Sequence, residues 1–114
     1  MKTIFFALAL IPSISYANFY DGNDLRSWSM ALTKSNLGNR LSVEEAANAS
    51  LFQGYVAGVY EIGEDVSFCT KDRTRLIQLT DTVTNYINNH PESRNLSAAT
   101  LTGRALIEAF PCNN

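Results

Sequence analysis

The chain holds two cysteines, Cys69 and Cys112, and the stretch between them reads as two helices joined at His90-Pro91-Glu92. Leu76, Leu79, Val83 and Tyr86, flanked by Ile77 and Ile87, recur in steps of three and four, the spacing of one helical face. Asp81, Thr84, Asn85 and Asn88 lie opposite. Thr74 is placed to cap this helix, and Pro91 stops it, because proline disfavours a helical residue before it. A second helix is predicted from near Asn95 or Ser97, burying Ala98, Leu101, Ala105, Leu106 and Ala109 and ending at Phe110-Pro111. One helix thus begins beside Cys69 and the other ends beside Cys112. A disulfide requires α-carbons within about 7 Å, so only an antiparallel hairpin lets the two meet. Closing a loop of this length is worth on the order of 4 kcal/mol in the chain-entropy model. The competing reading is a thiol nucleophile or a metal pair, but no CxxC or Cys/His cluster accompanies the cysteines.

A structural disulfide implies an oxidising compartment, and the first residues supply a route to one. Met1-Lys2 forms a short positive region, Ile4 to Ile11 an apolar core that Pro12 ends, and Ser15-Tyr16-Ala17 a small-residue cleavage site. Residues 1–17 are therefore expected to be an export signal, and residues 18–114 one mature domain. The apolar run falls well short of the roughly 20 residues needed to span a bilayer, so no membrane anchoring is expected after cleavage. Cleavage removes Lys2 from a formal charge of −2, leaving a mildly acidic domain with scattered arginines. Phosphate binding needs clustered positive charge, so nucleic acid is not an expected partner.

The mature chain opens with two more predicted helices. Residues 24–34 place Leu25, Trp28 and Leu32 on one face, with Asp21 or Asn23 as cap, and residues 35–39 break the pattern. Ser42-Val43-Glu44-Glu45 then forms a capping box, Ser42 accepting from the backbone of Glu45 while Glu45 reaches back. The helix behind it, through Ala46, Ala47, Ala49, Leu51 and Phe52 into Gly54-Tyr55-Val56-Ala57-Gly58-Val59-Tyr60, is apolar almost all round, which predicts burial on most sides. Gly54 and Gly58 lie one turn apart and notch one face, at about 1 kcal/mol each in helix propensity relative to alanine. The expected occupant of that notch is another helix of the same domain, with a homodimer contact as the weaker alternative. The coarse fold is all-α, a small single-domain bundle of four to five helices with one disulfide.

Gly63 is expected to end the second helix, and residues 64–74 read as an irregular, charged connection anchored midway by Phe68 and Cys69. Binding residues collect on loops held by a rigid scaffold, so Glu64, Asp65, Lys71, Asp72 and Arg73 are the candidate partner-binding residues. A solvated connector is the bland alternative. The acids Glu61, Glu64 and Asp65 lack the regular oxygen spacing of a calcium loop, and no metal or other cofactor is expected. His90, the only histidine, suits a helix-end capping role, and no nucleophile or orienting partner marks it as catalytic. No catalytic or nucleotide-binding motif is present, so the chain does not read as an enzyme.

Several ordered pieces together resemble the Rap/Tai family of type VI secretion immunity proteins. They are Asp21-Gly22-Asn23-Asp24-Leu25, Gly54-Tyr55-Val56-Ala57-Gly58-Val59, Phe68-Cys69, His90-Pro91-Glu92-Ser93-Arg94, and Ala98-Ala99 through Ala105-Leu106 to Ala109-Phe110-Pro111-Cys112. The resemblance implies a small helical periplasmic protein, often dimeric, that occupies the active-site cleft of a peptidoglycan-cleaving amidase effector delivered by neighbouring cells. Relatives often carry a second cysteine pair where this chain has Ser29 and Phe52, a departure that bears on the subgroup and the cognate effector. The alternative is a periplasmic binding or adaptor domain with a different protein partner. As an inhibitor, the chain would present the connection over residues 63–74 to the cleft, with the Gly54/Gly58 face forming the dimer.

Overall fold

The computed structural model describes residues 18–113. The export signal expected over residues 1–17 lies outside the described residues. Four α-helices follow in order: α1 (Gly22–Asn36), α2 (Val43–Gly63), α3 (Leu76–Asn89) and α4 (Ala98–Ala109), with a 3-10 turn at Pro91–Ser93 between the last two. Among the described residues there are two isolated bridges and no strand, so the all-α expectation holds.

Local signals set most of the helix ends. Asp21 caps α1 through the amides of Asn23 and Asp24, while the Asp24 carboxylate accepts from the Asp21 amide at 2.9 Å. Ser42 and Glu45 form the expected capping box of α2. Lys34 of α1 reaches Glu45 at 2.7 Å, joining the end of one helix to the start of the next. Thr74 does not cap α3. That helix starts one residue later, where the Gln78 side chain accepts from the Arg75 amide at 2.8 Å, and the Thr74 hydroxyl instead donates to the Asp72 carbonyl. Ser97 caps α4 through Thr100. The α3–α4 turn is closed by His90, whose Nδ1 lies 2.8 Å from the Tyr86 carbonyl and whose ring stacks on Tyr86.

The core runs through all four helices, with Leu25, Trp28 and Leu32 from α1, Phe52 and Val56 from α2, Leu79, Val83 and Ile87 from α3, and Leu101, Ala105 and Leu106 from α4. The start of α1 is strapped to the start of α4: the Gly22 amide donates to the Leu96 carbonyl at 3.1 Å and the Ala98 amide to the Tyr20 carbonyl at 2.9 Å. A β-carbon at Gly22 would fall 2.7 Å from the Arg94 backbone, so only glycine permits this approach. Ser29 and Phe52 are both buried. The Ser29 hydroxyl donates to the Arg26 carbonyl, and Phe52 is among the largest fully enclosed side chains.

Three expectations about burial fail for one reason. Along α2 only Ala49, Phe52, Val56 and Gly63 are fully buried and Tyr55, Val59 and Tyr60 partly so, while Val43, Gly54 and Ile62 stand in solvent and Leu51 lies at the exposed edge. Leu76 and Ile77 in the first turn of α3 are exposed, as is Ala109 in the last turn of α4. A domain this small has three other helices to offer α2, too few to surround it, and helix ends project beyond the shared core. The Gly54/Gly58 notch is likewise not filled from within. A β-carbon built at either position meets no atom within 4 Å, which overturns the expected packing against another helix of the domain.

Candidate functional site

The α2–α3 connection is built upward from Gly63. The buried ring of Phe68 lies against that glycine, where a β-carbon would come within 2.7 Å of the ring. The freed Gly63 carbonyl accepts from the amides of Val66 at 3.1 Å, Ser67 at 2.8 Å and Phe68 at 3.4 Å. Glu64 has φ −59 and ψ 136, and Asp65 has φ +61, the pattern of a type II turn with aspartate where glycine is the relaxed choice. The Asp65 amide then returns to the Phe68 carbonyl at 2.9 Å. Phe68 is stacked on Tyr60, centroids 6.0 Å apart. The result is a small closed knob on the end of α2.

A polar lock holds the far side of the knob. Glu64 Oε1 accepts from the Thr70 amide at 2.9 Å and from the Thr70 hydroxyl at 2.6 Å. Because that hydroxyl donates to the carboxylate, the Tyr60 hydroxyl 3.0 Å away donates to it in turn. Glu64 Oε2 is buried without a protein partner among the described residues. Beyond the lock, the Cys69 amide donates to the Phe110 carbonyl at 2.8 Å, and the Cys69–Cys112 disulfide joins the same two segments with α-carbons 4.8 Å apart. The expected clasp is therefore present, and it fixes the connection to the end of α4.

The five candidate residues divide into three groups. Glu64 is turned inward and holds the scaffold. Asp65 is exposed at the tip of the turn. Lys71, Asp72 and Arg73 are exposed on the rim of an open cleft of about 450 Å³, whose walls include Gln78, Phe110 and Pro111. Sequence reasoning passed over Ile62 and Val66, which are 84 % and 79 % exposed beside the Gly63 turn. The available signal was two isolated aliphatics in a charged stretch at a helix end. Thr70 and Tyr60, which complete the lock, carried no sequence signal, since their pairing with Glu64 depends on the turn between them.

His90 contacts Tyr86, at the opposite end of α3 from the knob. Among the described residues no group of three or more histidine, cysteine, aspartate or glutamate side chains is arranged to hold a metal ion. No helix among them is long and apolar enough to cross a membrane.

A family model described as Rap1a immunity proteins matches residues 21–112. The match takes in all four helices and both cysteines. No curated protein matches the chain significantly.

Proposed function

The chain belongs to the Rap1a immunity protein family, and from that premise we propose that it is a periplasmic inhibitor of a peptidoglycan-cleaving amidase effector of the type VI secretion system. An immunity protein acts by binding a partner effector, and this reading requires no chemical step from the inhibitor. The observation that carries it is the preformed knob of residues 63–70, set on a helix end by Gly63 and Phe68 and locked by Glu64 and Thr70. A protrusion whose backbone is already fixed loses little entropy when it enters a cleft. Asp65, Lys71, Asp72 and Arg73 are exposed along the same connection and supply charge at its edges.

Export is supported by the intramolecular disulfide, which forms and persists in oxidising compartments. A cell-wall amidase acts in that same compartment, which is where its inhibitor has to meet it. The open Gly54/Gly58 face is the proposed homodimer contact. In an antiparallel pair about a twofold axis between Gly54 and Tyr55, Leu51 of each copy faces Gly58 of the other. A large residue then sits opposite a small one on each side of the axis.

Isothermal titration of the purified, oxidised protein into the amidase encoded beside its gene tests the proposal. A saturating, stoichiometric complex is expected. The absence of binding at micromolar concentrations contradicts it.

A further inference from the structure

Ile62 and Val66 are four residues apart and stand almost wholly in water. Single exposed aliphatics are ordinary on a soluble domain. These two differ because the backbone that carries them is held. Ile62 belongs to the last turn of α2, the Val66 amide is bonded to the Gly63 carbonyl at 3.1 Å, and the Phe68 ring anchors the turn from beneath.

Each aliphatic follows an exposed acid, Glu61 before Ile62 and Asp65 before Val66. Asp65 occupies a left-handed conformation, φ +61, at the turn position where glycine is unstrained. Aspartate tolerates this conformation better than most side chains, so the turn holds a carboxylate at its tip. The held backbone thus carries two exposed aliphatics, each next in sequence to an exposed carboxylate, and in interfaces of that composition apolar anchors carry affinity while peripheral charge sets orientation and association rate.

We infer that Ile62 and Val66 are the apolar plug of the inhibitory contact, with Glu61 and Asp65 as its rim, and that the partner offers an apolar recess bordered by lysine or arginine. The inference rests on the immunity reading above and specifies the chemistry of its contact. It moves the centre of recognition away from Lys71, Asp72 and Arg73, which border the cleft beside the disulfide.

The test compares four purified, oxidised proteins against the amidase encoded beside the gene, by titration calorimetry and stopped-flow association at low and high salt. Ile62→Ser with Val66→Ser is expected to weaken binding about tenfold or more at both salt concentrations, with an unchanged unfolding temperature. Asp65→Gly relaxes the turn while removing the carboxylate, and is expected to slow association at low salt more than at high salt. If the double serine variant unfolds earlier than the parent, Ile62→Ala with Val66→Ala decides the matter with the same expected loss. Should the parent bind and the folded plug variants bind equally well, the plug is overturned and the immunity reading stands. Failure of the parent itself to bind overturns both.

Discussion

Glu64 Oε1 accepts two hydrogen bonds from one residue, the amide of Thr70 at 2.9 Å and its hydroxyl at 2.6 Å. A residue that reads in sequence as part of a charged surface is thereby a structural tie across the base of the knob. Hydrogen bonds to a charged acceptor are worth about 1.5–3 kcal/mol where the acceptor is shielded from water.

Glu64→Ala is expected to leave the Thr70 amide and hydroxyl without their acceptor and to lower stability by about 1–3 kcal/mol. Urea unfolding measures the loss. Hydrogen exchange should locate it, with protection falling first at Thr70 and at the amides of residues 65–68, and little change in α3. Equal protection at Thr70 in parent and variant contradicts the lock.

Reduction of Cys69–Cys112 should separate stability from inhibition. The clasp joins the connection to the end of α4 and is worth on the order of 4 kcal/mol for a loop of this length. The core drawn from all four helices does not depend on this bond, so the helices should persist under mild reduction, while inhibition weakens as the connection loses its tie to the end of α4. Far-ultraviolet circular dichroism and an inhibition assay on the same reduced sample measure the two. Undiminished inhibition by the reduced protein confines the disulfide to stability.

The Lys34–Glu45 contact gives a pH signature. Lys34 holds the Glu45 carboxyl below its ordinary value, aided by the Ser42 amide. A carboxyl lowered in the folded state contributes stability that is full above the unfolded-state value and is lost as pH falls through the folded one. Glu45→Gln should therefore flatten the acid side of the stability curve and have less effect at pH below the folded value. Thermal unfolding across an acid series checks this, and a constant difference between variant and parent at every pH contradicts it.

Gly54 and Gly58 face open space, so alanine at either site should stabilise the domain by about 0.5–1 kcal/mol through helix propensity alone. Larger side chains distinguish the dimer from an isolated face. Gly58→Leu should leave the helices intact and move the protein to a monomer in sedimentation equilibrium, because Leu51 of the partner copy loses its space. A parent that is monomeric at high micromolar concentration removes the proposed contact.

The legible parts of the fold were those set by neighbouring residues. Ser42 and Glu45 announce the start of α2, the three-and-four spacing in α3 and α4 announces the hairpin, and two cysteines allow one pairing. What was not legible depends on how many neighbours a helix finds. The apolar sequence of α2 does not say that three helices cover one side of it, so Leu51 reads as core and lies at the exposed edge of the helix. The candidate site was legible as a stretch and not as a set of contacts. Glu64 and Asp65 are adjacent acids in the sequence, yet the type II turn sends one inward to Thr70 and leaves the other exposed at the tip.

The central claim is that a preformed knob on an immunity protein fills the cleft of a cell-wall amidase. Its most direct measurement is release of peptidoglycan fragments by the amidase encoded beside the gene, titrated with the purified, oxidised protein. Hydrolysis is expected to stop near equimolar ratio, and the variant carrying Ile62→Ser with Val66→Ser to require a large excess. Full hydrolysis in the presence of excess parent protein contradicts the account.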